Sequence, residues 1–210
     1  MAGRTKSTEG AAERKGGARE GRRFDRYEIL IDTAADLFRT NGYDATSLQQ
    51  IADKVGILKG SLYYYIDTKE DLLFAIIQRN HERIIQGNSE WRSITDDPLA
   101  AIRSFVEGHM RCTMGNVTYS EVFIRDFRSL SEVHSKEIRH AQEEYDHEFR
   151  ALIRVAADAG LLRDGVEPSF ASRAIFGMSN WIFYWFRPGG ELTREDVVAK
   201  MSEYAMASLR

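Results

Sequence analysis

Residues 46–66 read TSLQQIADKVGILKGSLYYYI. Leu48, Ile51, Ala52 and Val55 recur at helical spacing, and Thr46 with Gln49 has the pattern of a capping box. Gly56 breaks this first helix, and Leu58 to Ile66 supplies a second short one. A short amphipathic helix, a glycine turn and another short helix make a helix-turn-helix over about residues 47–66. Projected at about 100° per residue, Leu62 and Ile66 share the side that packs inward. Gly60, Tyr63 and Tyr64 fall on the opposite side, with Lys59 at its edge. Two tyrosines turned to water need a reason, and contact with phosphates and base edges in a major groove supplies one.

The pattern stays helical on either side. Tyr27, Leu30, Ile31, Ala34, Leu37 and Phe38 mark a preceding helix that Asn41-Gly42 stops. Asp67-Thr68 opens a longer one through Leu72, Leu73, Ile76, Ile77 and Ile84. Further helices are expected from Leu99 to about Met114, Tyr119 to about Leu130, Glu132 to Ala159 and Pro168 to Phe186, with a last one capped by Thr193. No stretch alternates with period two. The expectation is an all-α chain of about nine helices: a disordered basic arm over 1–23, a three-helix DNA-binding domain over 24–70, a linking helix over 71–87, and a helical ligand-binding and dimerisation domain over 88–210.

Composition narrows the class. The chain has 210 residues, 43% hydrophobic and 29% charged, enough to bury a sizeable core. Its one cysteine, Cys112, excludes an internal disulfide and a Cys-rich zinc module. No apolar stretch is long enough to span a bilayer and no apolar leader opens the chain, so a cytoplasmic protein without a membrane partner is expected. The net charge of −3 hides a gradient: residues 1–23 carry +4, residues 24–87 −3 and residues 88–210 −4. Arg22, Arg23 and Arg26 are the basic side chains nearest the first helix, placed either to touch phosphates or to sit in a solvated tail.

With these residues in view, 24–87 resembles the DNA-binding domain of the TetR family of bacterial transcriptional repressors. The likeness rests on Ala34-Ala35-x-Leu37-Phe38, Asn41-Gly42-Tyr43, Thr46-Ser47, Ile51-Ala52, Gly56, the run Lys59 to Tyr65 and Lys69-Glu70-x-Leu72. The resemblance implies that Thr46, Ser47, Lys59, Gly60, Ser61, Tyr63, Tyr64 and Lys69 form the DNA-contacting set. It also implies a homodimer on an inverted-repeat operator. Leu58 and Ile66 depart from the family pattern, Leu58 at a place that is often small and polar.

The second module is read mainly from its aromatics. Trp181-x-x-x-Trp185-Phe186-Arg187-Pro188-Gly189-Gly190-x-Leu192-Thr193 is similar to the C-terminal region of TetR-type regulators of lipid and steroid breakdown, which respond to acyl-CoA thioesters. The dimer interface is expected at Ala174, Gly177, Met178, Trp181, Val197, Met201 and Tyr204. A cavity for a large apolar effector is expected at Trp91, Phe105, Met110, Met114, Phe123, Phe127, Trp181 and Trp185, with Arg125 and Arg128 as partners for CoA phosphates. A multidrug-type sensor of the same fold and a helical-bundle metal enzyme are the alternatives. For the enzyme, Glu144-x-x-His147 with His140 mimics only part of a metal site, while His81, His109 and His134 are isolated. With no phosphate-cradling loop or nucleophile elbow, the chain is read as a non-enzyme without metal or cofactor.

Overall fold

The computed structural model describes residues 9–187 and 189–210, with side chains from Asp25 onward apart from Phe183. Helices and turns make up all of it, with no strand among the described residues. The chain divides into two compact units, Met1–Ala75 and Ile76–Arg210.

In the first unit α1 (Glu9–Asn41) ends where Gly42 turns to φ +89°, the left-handed stop the sequence predicts. It begins earlier than the composition suggests. Residues 9–23, expected as a disordered arm, continue the helix anchored by Leu30, Ile31, Ala34 and Phe38, and their Ala, Glu, Arg and Lys residues are good helix formers. Residues 1–8 and the side chains of Arg22 and Arg23 lie outside the described residues. Helix α2 (Leu48–Val55) has its capping box one residue later than expected. Ser47 Oγ accepts the Gln50 N–H at 3.2 Å, and Gln50 Oε1 accepts the Ser47 N–H at 2.7 Å. Gly56, at φ +77°, makes the turn that only a residue without Cβ takes cheaply.

Helix α3 (Lys59–Leu62) is shorter than the 58–66 span expected. After Leu62 the chain tightens into turns: the Tyr64 and Tyr65 N–H groups bond three residues back, to Ser61 and Leu62. The tightening brings Ile66 back inward, 6% exposed, before α4 (Lys69–Gly87) begins. There the Thr68 N–H donates to Asp71 Oδ2 at 2.7 Å while Thr68 Oγ1 accepts the Asp71 N–H at 3.2 Å.

Helix α4 runs on into the second unit, followed by α5 (Pro98–Gly115), α6 (Val117–Asp126), α7 (Glu132–Asp158), α8 (Pro168–Asn180), α9 (Ile182–Trp185) and α10 (Arg194–Leu209). Among the described residues the nine-helix reading holds with one refinement: the eighth is interrupted at Trp181, leaving α9 as a single turn. Side-chain caps set most of the starts, including Asp97 on the Ala100 N–H, Ser131 on the His134 N–H, and a capping box between Thr193 and Asp196. Helix α5 sits centrally, against α7, α8 and α10. Its Ile102, Phe105, Val106 and Met110 are buried with Phe149, Ile153, Ile175 and Val198, and Phe105 stacks on Phe149 at 4.3 Å. Each such side chain contributes about 1.5–3 kcal/mol relative to exposure.

Candidate functional site

The helix-turn-helix presents an uncovered surface. Leu62 is fully buried, whereas Leu58 is 81% exposed, Tyr64 78% and Tyr63 51%, with Lys59 and Gly60 also exposed and Ser61 half-buried. Gly60 is informative. A Cβ added there meets nothing within 4 Å, so no contact inside the chain demands a glycine that costs a helix about 1 kcal/mol relative to alanine. Beside it, Arg26, Ile29, Val55, Gly56, Ile57, Ser61, Tyr64 and Tyr65 line an open groove.

Two members of the expected contact set are spent within the domain. Thr46 is 1% exposed, and its hydroxyl donates to the carbonyls of Gly42 at 2.7 Å and Leu37 at 3.3 Å. Lys69 Nζ donates to the Tyr43 carbonyl at 2.9 Å and the Thr46 carbonyl at 3.1 Å, and lies over the Tyr43 ring at 4.2 Å. Thr46 and Lys69 together tie the start of α4 to the loop between α1 and α2. Ser47 is exposed but engaged in capping α2.

The second unit holds a half-open cavity of about 210 Å³. Ile77, Asn80, His81 and Ile84 of α4 line it, with His109 and Thr113 of α5, Ser120, Phe123 and Ile124 of α6, Ile138, Gln142, Tyr145 and Asp146 of α7, and Phe176 and Asn180 of α8. Of the expected ligand residues only Phe123 is among them. Phe105, Met110 and Met114 are buried in the core, and Trp91 packs on Phe105 at 5.5 Å. Phe127 packs edge-on against Phe123 at 5.6 Å, and Trp181 and Trp185 are exposed on the surface. Arg125 pairs with Asp126 at 2.8 Å, and neither it nor Arg128 reaches the cavity. Aromatic content located the core rather than the cavity, because large rings fill space wherever helices meet.

What sequence reasoning missed is a buried polar network. Asn88 Nδ2 donates to the Phe105 carbonyl at 3.0 Å and to Tyr145 Oη at 2.6 Å. The Tyr145 hydroxyl then donates to His109 Nδ1 at 3.3 Å, and His109 Nε2–H donates to Asn180 Oδ1 at 3.0 Å. This directional chain fixes one neutral tautomer of His109. Burial pulls its pKa down from 6.5 to about 4 despite the Asn180 hydrogen bond, and burial likewise raises that of Tyr145. His81, edge-on to Tyr145 at 6.1 Å, is also lowered by burial, and its Nε2 is buried without a hydrogen-bond partner. Behind the network Gly108 leaves room for Asn88, and a Cβ there would run into Asn88 Oδ1. The available signal was the placing of His81 and His109 on otherwise apolar helix faces.

Helices α8 to α10 carry a separate apolar surface. Phe170, Trp181, Tyr184, Trp185 and Tyr204 are all exposed, with Trp181 and Tyr184 rings 4.1 Å apart. Ala174 and Gly177 are exposed as well, and a Cβ at Gly177 meets nothing within 4 Å. Met178 and Met201 are half-buried. Val197, expected at the interface, is 1% exposed and belongs to the unit's own core, because it faces α5 rather than outward.

Among the described residues no cluster of His, Cys, Asp or Glu has metal-binding geometry, and no helix is long and apolar enough to cross a membrane. His140 lies 3.6 Å from Glu144 on an exposed face. Burial raises the pKa of Cys112, opposite to what a reactive thiolate needs.

Known proteins share both units. Residues 30–76 match the family model for bacterial regulatory proteins of the tetR family, and residues 95–209 match that for a tetracyclin repressor-like C-terminal domain. The transcriptional repressor KstR2 of Rhodococcus jostii is 31% identical over 186 residues, 81% of this chain and 84% of its own. Among solved structures, the TetR-family regulator PfmR of Thermus thermophilus superposes with a TM-score of 0.78 at 28% identity, covering 85% of this chain and 97% of that one. AibR in complex with isovaleryl coenzyme A and operator DNA superposes with a TM-score of 0.77 at 27% identity, covering 88% and 97%. The helix-turn-helix with its exposed surface, the cavity in the second unit and these matches along both units agree: this chain belongs to the TetR family of DNA-binding transcriptional regulators.

Proposed function

We propose that the protein is a cytoplasmic homodimeric repressor whose operator is an inverted repeat and whose release is triggered by a carbonyl-bearing effector of the acyl-CoA type. The observation that carries the reading is the placement of α4. Ile77, Asn80, His81 and Ile84 on this one helix line the cavity, while its first residue, Lys69, holds the loop before the helix-turn-helix. An effector works only through unequal affinity for two states, and a helix shared by cavity and DNA-binding unit supplies the coupling. The AibR complex, with an acyl-CoA and operator DNA in one structure, supports the effector class. KstR2, named a repressor, supports the sign of regulation.

On DNA, two copies of α3 would enter major grooves about 34–36 Å apart. Lys59, Ser61, Tyr63 and Tyr64 touch the duplex, and Gly60 lets the backbone close on a phosphate. Ser47 and the basic residues before Phe24 add phosphate contacts, whereas Thr46 and Lys69 position the loop. The two-fold interface forms from Phe170, Ala174, Gly177, Trp181 and Tyr204, with Gly177 as the point of close helix approach. Footprinting on DNA flanking the protein's own gene, repeated with acyl-CoA added, tests the reading. A symmetric footprint that disappears on addition is expected. A footprint on a single half-site, or one that only a planar aromatic drug removes, would replace this reading with that of a multidrug-type sensor.

A further inference from the structure

The size, charge and hydrogen-bonding of the cavity restrict what it can hold, and the restriction rests on the reading of this cavity as the effector site. Its volume of about 210 Å³ is that of roughly seven liquid waters, below the roughly 300–1,000 Å³ of pockets that enclose drug-sized ligands. No Lys or Arg lines it. The one carboxylate, Asp146, is held by the Ser172 hydroxyl and by Arg150 at 2.6 Å, and His109 is neutral. A carboxylate buried against this wall would therefore have no counter-charge, and desolvating one without a partner is strongly unfavourable.

Two acceptors of the polar wall are already used, while Gln142 Oε1 and His81 Nε2 have no hydrogen-bond partner among the described residues. Asn180 Oδ1 takes the His109 N–H, Asn80 Oδ1 takes the Ser120 hydroxyl at 3.3 Å, and the Tyr145 hydroxyl lies between Asn88 and His109. The surplus is of donors: no acceptor among the described residues takes the amide N–H2 groups of Asn80, Gln142 or Asn180. These amides come from α4, α7 and α8, and Ile77, Phe123, Ile138 and Phe176 complete the wall. Donors without a cation suit an uncharged carbonyl oxygen.

We propose that the part of the effector held here is a compact, uncharged body of roughly ten heavy atoms bearing a carbonyl that Gln142, Asn180 and Asn80 hydrogen-bond, and that long acyl chains and free carboxylates are excluded. Two sources carry this chemistry: the acyl end of a short or branched thioester whose CoA moiety lies outside the cavity, and a free ketone or lactone.

The test is calorimetric titration of the full-length protein, without DNA, with butyryl-, isovaleryl-, hexanoyl- and palmitoyl-CoA, free CoA, butyrate, hexanoate, cyclohexanone and δ-octalactone. Binding by the short thioesters, or by the ketone or lactone, at least about tenfold tighter than palmitoyl-CoA, free CoA and the acids is expected. Which arm binds identifies the source. The variant Gln142→Leu should weaken the best binder roughly five- to tenfold, the loss of one hydrogen bond to a neutral acceptor. Phe123→Ala should raise the affinity of palmitoyl-CoA relative to butyryl-CoA by enlarging the wall. Equal or tighter binding of palmitoyl-CoA or hexanoate to the wild type would overturn the proposal, as would absence of binding by every short neutral probe. Operator release is read separately by anisotropy of labelled DNA. A probe that binds but leaves the operator complex intact refutes induction while leaving the cavity chemistry standing.

Discussion

Exposure separates the residues proposed to face DNA from those that hold the domain together, and single substitutions distinguish them. Tyr64 projects from the turn after α3, so Tyr64→Ala should weaken operator binding by at least about tenfold while shifting stability by less than about 0.5 kcal/mol, in gel-shift and urea-unfolding measurements. Lys59→Ala should flatten the slope of log affinity against log salt by about 0.9 for each phosphate the side chain no longer neutralises. Lys69→Met behaves differently: removing a cation that donates to the Tyr43 and Thr46 carbonyls should cost about 1–3 kcal/mol of stability. Gly60→Ala should stabilise the fold by up to about 1 kcal/mol, since a Cβ there meets nothing within 4 Å, and yet impair DNA binding if, as proposed, the backbone closes on a phosphate at this position. In the second unit His109 titrates at its ordinary 6.5 when unfolded but only at about 4 when folded. The unfolded chain therefore takes up the proton first as pH falls. The contribution of this group is complete above 6.5 and declines by about 3 kcal/mol on the way down to 4. Denaturant titrations at stepped pH should show a shallower acid loss in His109→Gln than in the wild type.

At the scale of helices, starts and stops were legible where one residue type has one job. Gly42 and Gly56 stop their helices and Thr193 caps the last one as expected, whereas the caps at Asp97 and Ser131 came only with the structure. Lengths set by tertiary packing were not legible: α3 ends at Leu62 because Ile66 must return to the core, and the eighth helix breaks at Trp181 without a proline or glycine to announce it. Dimer residues illustrate the same limit. Periodicity identifies the apolar faces of α10, but not whether Val197 meets α5 of its own chain or another protomer. Ala174→Asp on α8 should give a folded monomer by sedimentation that no longer binds the operator. Val197→Asp should instead unfold the second unit, because it buries an unpaired charge in the core.

Across the whole molecule, the family and the exposed face of the helix-turn-helix were readable because a helix-turn-helix is written in consecutive residues. The cavity was not, since α4 to α8 each give it only two to four residues, many of them polar groups unremarkable in isolation. The network from Asn88 through Tyr145 and His109 to Asn180 exists only once three helices have met. Gly108 bears on how such a regulator fails. Any side chain there displaces Asn88, the origin of the network, without touching the cavity or the helix-turn-helix. A genetic selection for clones that stay silent in the presence of inducer should return substitutions at Gly108 alongside those in the cavity wall. In a merodiploid strain such an allele should be dominant, since pairs of two deaf subunits still form and stay on the operator in the presence of inducer.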